Sequence, residues 1–86
     1  NRLVSRDNVD VVIGTVHSGV QMAMLRIARE SGKLMIIPNA GADAATRSAC
    51  SPNIFRTSFT NWQPNYPAGK VMVDAGLKNV ITISWK

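Results

Sequence analysis

The chain has 86 residues, of which 45% are hydrophobic and 17% charged, and its formal net charge is +5. This length allows one small domain, and the composition is typical of a folded globular chain rather than a disordered one. The longest uncharged stretch, 11–25, is too short and too polar to span a bilayer. The basic residues are scattered without interleaved aromatic residues, so we expect no nucleic-acid partner. Cys50 is the single cysteine, which excludes an internal disulfide.

Short apolar runs mark the predicted strands. The runs at 9–13, 34–37 and 80–83 do not alternate cleanly with polar residues. Such runs are typical of strands that are buried on both faces of a parallel sheet. Residues 54–57 predict a weaker edge strand, and residues 1–6 predict the end of a preceding helix.

A helix is predicted between the first two strands. Ser18 is a favourable N-cap residue, and Gly32 suits the end of the helix. Helical spacing places one set of apolar residues on a common face, namely Val20, Met24, Ile27 and Ala28. The charged residues on the other side are Arg26, Arg29 and Glu30.

A second helix is predicted after residues 61–64. Pro64 and Pro67 are expected at or before its first turn, because a later proline breaks the hydrogen-bond ladder. Gly76 is expected to end the helix. Its predicted apolar face contains Tyr66, Ala68, Val71, Met72 and Ala75.

The order of these elements predicts an α/β fold, a three-layer sandwich with a parallel, Rossmann-like, doubly wound sheet. The last predicted strand reaches almost to Lys86, and no covering element follows it. We therefore expect an incomplete piece of a larger fold. A small sheet with open edges and one poorly covered face predicts self-association of this piece.

Two loops lie where ligands bind in open parallel sheets, beyond the carboxyl ends of the strands. They are residues 14–19 and 38–43. The start of the first helix offers free N–H groups and a positive dipole end, which suit a carboxylate, and Ser18 adds a hydroxyl. The alternative is that Ser18 only caps the helix and the glycines only turn the chain.

Enzyme motifs are not met by the loop that contains Gly14 and Gly19. Val16 replaces the serine of a nucleophile elbow and the second glycine of a dinucleotide loop. Val20 and Gln21 replace the Lys and Ser/Thr of a phosphate loop, which disfavours a nucleotide-binding enzyme. His17 has no clustered metal ligands and no orienting acid, so we expect it at the rim or wall of a pocket. We predict no catalytic residue, no metal site and no cofactor.

Four segments, in their order and spacing, resemble type I periplasmic binding proteins, and the Leu/Ile/Val-binding group in particular. They are 9–14, 17–20, 34–40 and 53–58. Residues 39–44 and 59–63 are further similar to relatives that take aromatic or other organic acids. The resemblance implies a two-lobed, hinged receptor, of which residues 1–86 form part of the N-terminal lobe. The hinge and the second lobe would lie outside the chain.

The resemblance also implies roles for individual residues. The ligand carboxylate would be held by Ser18, and Ala40 matches a backbone contact. Gly41 stands where amino-acid binders often have Thr, which leaves room for a bulkier ligand. Trp62 and Phe59 would wall the cleft, or would instead pack beside the second helix. The candidate ligand-binding residues are His17, Ser18, Gly19, Asn39, Ala40, Gly41 and Trp62.

The function that the resemblance implies is that of the extracytoplasmic solute-binding component of an ABC importer. Its partners would be a small carboxylate ligand, either a branched-chain amino acid or an aromatic acid, and a membrane permease. It would lie in the periplasm, or outside the cell on a lipid anchor. The alternative is a ligand-sensing regulatory protein on the same two-lobed fold.

Overall fold

A computed structural model, which describes residues 1–84, contains a three-stranded sheet. Its strands are β1 (Val11–Ile13), β2 (Leu34–Ile37) and β3 (Ile54–Arg56), in the order β1-β2-β3. Both strand pairs are parallel. The predicted α/β class and the predicted edge position of β3 in this sheet are therefore confirmed.

Three helices and one 3₁₀ turn accompany the sheet. They are α1 (Arg2–Ser5), α2 (Ser18–Ser31), α3 (Trp62–Asp74) and the 3₁₀ turn Asp43–Thr46. The prediction that residues 1–6 are helical is confirmed by α1. No helix within residues 1–84 has the length and apolar character that a bilayer span requires.

The ends of α2 are set by local side-chain and backbone geometry. The N-cap is His17, whose side chain accepts a hydrogen bond from the Gly19 N–H, so the prediction that Ser18 caps this helix is wrong. An imidazole nitrogen at the N-cap satisfies an N–H that the helix itself leaves without a partner. The C-cap is Gly32 with φ 70°, a left-handed conformation that glycine adopts without strain, as predicted.

The face of α2 that packs on the sheet agrees in part with the predicted one. Its buried residues are Gln21, Leu25 and Ala28, the partly buried Met24 packs against the core, and Val20 is 52% exposed. The buried stripe is therefore shifted towards Gln21 and Leu25, because hydrophobicity alone does not place a polar residue on the buried face. The buried hydrophobic core consists of Leu25, Ala28, Met35, Ile37, Ala40, Ala45 and Ile54.

The opposite face of the sheet is uncovered within residues 1–84. The parallel register places Ile13, Ile36 and Phe55 side by side across the three strands. Ile13 is 69% exposed and Phe55 is 55% exposed. Apolar side chains on both faces of a parallel sheet normally lie under helices, so this face is a bare apolar surface.

Helix α3 begins at Trp62, which places Pro64 in its first turn. Pro67 lies inside the helix, so its predicted place at or before the first turn is wrong. A proline there cannot donate to the carbonyl four residues earlier, which weakens the second turn. No residue of α3 is buried, and Gly76 with φ 72° follows its end. The predicted apolar face of this helix is therefore uncovered, although Ala68 and Met72 are half-buried.

The strand predicted at 80–83 does not form, and this prediction is wrong for the described chain. A strand requires a hydrogen-bonded neighbour, and this segment pairs with no strand within residues 1–84. Ile81 is 91% exposed and Ile83 is 96% exposed. The radius of gyration is 16.4 Å, against about 12 Å for a compact domain of this length, because the chain extends over 55 Å.

Candidate functional site

Three loops meet at the carboxyl end of the sheet. We call them loop A (14–17, after β1), loop B (38–42, after β2) and loop C (57–61, after β3). The Ala40 N–H donates to the Thr15 carbonyl at 2.9 Å, and the Asn61 N–H donates to the Gly41 carbonyl at 2.7 Å. These backbone hydrogen bonds join loop A to loop B and loop B to loop C, so the three loops form one continuous rim.

The N-terminus of α2 opens on this rim. Within residues 1–84, the backbone N–H groups of Ser18 and Val20 have no hydrogen-bond partner, whereas the Gly19 N–H donates to His17 Nδ1 at 3.0 Å. Free N–H groups at a helix start carry the positive end of the helix dipole. An anion placed here would meet two free donors and a favourable potential.

The Ser18 hydroxyl lies at the same point and is linked to loop C. Asn61 Nδ2 donates to Ser18 Oγ at 3.4 Å. A hydroxyl that accepts one hydrogen bond still has its own proton to donate, so Ser18 can offer an O–H to a ligand oxygen. The candidate site therefore combines a side-chain donor with main-chain donors.

These groups border an open cleft of about 820 Å³. Ligand pockets commonly measure roughly 300–1,000 Å³, so the cleft is large enough for a small organic molecule. The residues that line it are Val16, His17, Ser18, Gly19, Asn61, Asn65, Ile83 and Ser84.

The structure brings three of the seven predicted ligand-binding residues together at the cleft, namely His17, Ser18 and Gly19. The other four lie nearby but do not line it. Ala40 and Gly41 are buried in loop B, and the Ala40 N–H is occupied by Thr15. Asn39 is exposed, and its carbonyl accepts a hydrogen bond from Ser58 Oγ at 3.3 Å.

The room that was expected beside Gly41 is filled by Asn61, so the expectation of open space for a bulkier ligand at this position is wrong. A Cβ atom built on Gly41 would overlap with Asn61 Oδ1 and would lie 3.0 Å from the backbone nitrogen of Asn61. Glycine is required here by a close approach between loop B and loop C.

Trp62 packs on its own helix. Its ring stacks on Tyr66 with centroids 4.7 Å apart and planes 22° apart, and the Arg47 guanidinium carbon lies 5.9 Å from the Trp62 centroid. Trp62 is 48% exposed and Phe59 is 62% exposed. Of the two alternatives for Trp62, packing on the second helix describes its position better than forming a wall of the cleft.

Polar groups also lie beneath the rim. Arg56 Nη2 donates to the Ala42 carbonyl, which ties β3 to loop B. Buried polar atoms without a hydrogen-bond partner within residues 1–84 include both side-chain atoms of Gln21, and also Asp43 Oδ1 and Arg56 Nε and Nη1. Buried polar groups normally have partners, so each of these atoms is desolvated without a compensating hydrogen bond within residues 1–84.

The described residues contain no cluster of three or more His, Cys, Asp or Glu side chains that would hold a metal ion. Elsewhere on the surface, Arg26 pairs with Glu30 at 2.9 Å, and this hydrogen bond raises the pKa of Arg26 above its ordinary value. This ion pair lies on the exposed side of α2 and away from the cleft.

Asn61 and Asn65 were missed as site residues. Asn61 lies 43 residues from Ser18 in the chain, and Asn65 Nδ2 donates to the Asn61 carbonyl at 2.6 Å. One local signal was available. Thr60 and Gln63 have the spacing of a capping box, and Gln63 Oε1 accepts the Thr60 N–H at 2.7 Å, which fixes the start of α3 next to the rim.

Comparisons with known proteins agree with this architecture. A model of the family described as periplasmic binding protein matches residues 1–84. The solute-binding protein of an ABC transporter from R. palustris, solved in complex with benzoate, is 57% identical with a TM-score of 0.81. That match covers 90% of this chain and 21% of that chain.

Curated relatives give the same result. Proteins called Leu/Ile/Val-binding protein homolog 6, from Brucella abortus and from Brucella suis, are 32% identical over 81 residues. The match covers 94% of this chain and 20% of each relative, so the chain spans about a fifth of their length. With its parallel sheet, its ligand-side rim and its match over residues 1–84, this chain belongs to the periplasmic binding protein family.

Proposed function

We propose that the complete protein is the solute-binding component of an ABC importer and that it binds a small aromatic carboxylate. The observation that carries the proposal is the set of hydrogen-bond donors at the N-terminus of α2. There Ser18 lines an open cleft, and the backbone N–H groups of Ser18 and Val20 have no hydrogen-bond partner within residues 1–84.

A carboxylate suits the N-terminus of α2 for electrostatic reasons. It accepts hydrogen bonds at two oxygens, and its negative charge is stabilised by the positive end of the helix dipole. A hydrogen bond to a charged group contributes about 1.5–3 kcal/mol, which is more than a neutral pair contributes. A neutral ligand of the same shape would lose this advantage.

One comparison favours an aromatic acid over an amino acid. The relative solved with benzoate is 57% identical to this chain, whereas the Leu/Ile/Val-binding homologues are 32% identical. This difference supports a ligand that has a carboxylate and an aromatic ring.

The transport role is proposed from the same relatives. The solved relative is described as part of an ABC transporter, so the complete protein would deliver its ligand to a membrane permease. It would act outside the cytoplasm, in the periplasm or on a lipid anchor. These relatives favour a transport receptor over a ligand-sensing regulator on the same fold.

A thermal-shift screen of the complete protein tests the proposal. The panel contains benzoate, hydroxylated benzoates, benzamide, leucine, valine and ATP. We expect benzoate or a substituted benzoate to raise the melting temperature most and benzamide and ATP to raise it least. If no organic acid shifts the melting temperature, the proposal is wrong; if leucine or valine gives the largest shift, the aromatic ligand class is wrong.

A further inference from the structure

We infer that Gly41 and Asn61 form a pair that positions Ser18 for the ligand carboxylate, and that this pair is a determinant of ligand specificity. The inference rests on the proposed function, because it assigns the residues that direct the carboxylate-binding hydroxyl. None of the observations behind it depends on the second lobe.

Gly41 has no room for a larger side chain. A Cβ at this position would overlap with the Asn61 side chain. By contrast, an added Cβ would meet no atom within 4 Å at four other glycines, namely Gly14, Gly32, Gly69 and Gly76. The constraint at Gly41 is therefore local, and it concerns one partner residue, through both the side chain and the backbone nitrogen of Asn61.

Asn61 is held at both of its backbone groups. Its backbone N–H donates to the Gly41 carbonyl at 2.7 Å, and its carbonyl accepts from Asn65 Nδ2 at 2.6 Å. These two hydrogen bonds fix the backbone of Asn61 between loop B and the first turn of α3. From this backbone its side chain lies against Gly41 and reaches Ser18 at the start of α2.

The side chain of Asn61 contacts Ser18. Asn61 Nδ2 donates to Ser18 Oγ at 3.4 Å, and both residues line the cleft. At this length the hydrogen bond is weak in the structure without ligand. By occupying one lone pair of Ser18 Oγ, the amide leaves the hydroxyl proton free to point into the cleft.

The chemical consequence is selectivity for a hydrogen-bond acceptor at this point. With Asn61 in place, Ser18 presents a donor, which suits a carboxylate oxygen. A larger residue at position 41 would displace the amide, and Ser18 would then turn freely between donor and acceptor roles. Loop B therefore controls the ligand preference of α2 through a side chain on loop C.

A double-mutant cycle on the complete protein tests the inference, with benzoate binding measured by calorimetry. The proteins are wild type, Ser18→Ala, Asn61→Ala and the double variant. We expect Asn61→Ala to weaken binding roughly 3- to 10-fold. Because Asn61 acts through Ser18, the double variant should bind no more weakly than Ser18→Ala alone. A merely structural role would instead give additive losses.

Gly41→Ala supplies a second arm, with Gly69→Ala as its matched control, since a Cβ at Gly69 meets nothing within 4 Å. We expect Gly41→Ala to weaken binding about as much as Asn61→Ala, and Gly69→Ala to leave it unchanged. If Gly41→Ala does not fold, Gly41→Ala/Asn61→Ala removes the side-chain overlap and leaves only the close contact with the backbone nitrogen of residue 61. This double variant should fold and bind like Asn61→Ala.

The outcomes separate the two proposals. Equal benzoate affinity of wild type and Asn61→Ala, or additive losses in the cycle, overturns this inference and leaves the proposed function intact. A wild-type protein that binds none of the organic acids overturns the proposed function, and this inference falls with it.

Discussion

His17 and Gly19 are joined across the first turn of α2, where the imidazole Nδ1 accepts the Gly19 N–H at 3.0 Å. This contact uses one of the donors that an anion would otherwise meet, and it fixes the backbone of the turn that presents the others. His17 therefore contributes both to the stability of α2 and to the shape of the cleft.

The first prediction concerns this cap. His17→Ala should lower the free energy of unfolding of the complete protein by about 0.5–2 kcal/mol, because the Gly19 N–H loses its partner. His17→Asn, which keeps a capping acceptor, should retain most of the stability. Urea unfolding measures both, with Val16→Ala as the control, because Val16 is 77% exposed and makes no cap. Equal losses in the Ala and Asn variants would contradict the capping role.

The second prediction concerns the carboxylate contact of Ser18. Ser18→Ala should weaken benzoate binding by about 1.5–3 kcal/mol, since a hydrogen bond to a charged oxygen is lost. The matched control is Ser48→Ala, which alters an exposed serine of the 47–52 loop and should leave affinity unchanged. An unaltered affinity in Ser18→Ala, measured by calorimetry, would reduce Ser18 to the first residue of the helix.

The third prediction concerns Gln21, which is fully buried with both side-chain polar atoms unpartnered within residues 1–84. Gln21→Met keeps the volume and removes the desolvated amide, so it should stabilise the protein by about 1–2 kcal/mol. Gln63→Met is the contrasting control, because Gln63 accepts the Thr60 N–H and its loss should destabilise. A loss of stability in Gln21→Met would show that water or another segment satisfies this amide.

The fourth prediction concerns the bare sheet face of the isolated 86-residue chain. Ile13, Ile36 and Phe55 form an exposed apolar strip, so the isolated chain should self-associate in solution. Light scattering should report species larger than a monomer. Ile13→Lys/Phe55→Lys should reduce association, whereas Val73→Lys on α3 should not. A clean monomer in the unaltered chain would contradict the prediction.

The elements that the sequence predicted best are those whose signal is local. The strand at 34–37 has the same bounds in the structure, because a continuous apolar run is followed at once by Pro38. The C-cap at Gly32 was equally clear, since only a left-handed residue fits there. The strand predicted at 9–13 is shorter in the structure, because only Val11–Ile13 pairs with β2.

The features that sequence reasoning missed depend on contacts between distant segments. Gln21 heads the buried stripe of α2, but hydrophobicity cannot identify a buried amide. The 80–83 run has strand composition but no partner within residues 1–84, and pairing decides whether a strand forms. Asn61 reaches Ser18 only because Gly41 admits its side chain, and no local pattern encodes that approach.

The most direct test of the account is a crystal structure of the complete protein with benzoate. The predicted result is a carboxylate at the start of α2, with one oxygen about 2.5–3.0 Å from Ser18 Oγ and with the main-chain N–H groups of Ser18 and Val20 donating to it. A carboxylate bound elsewhere, or a cleft at the N-terminus of α2 that is filled by the protein's own side chains, would contradict the proposed site.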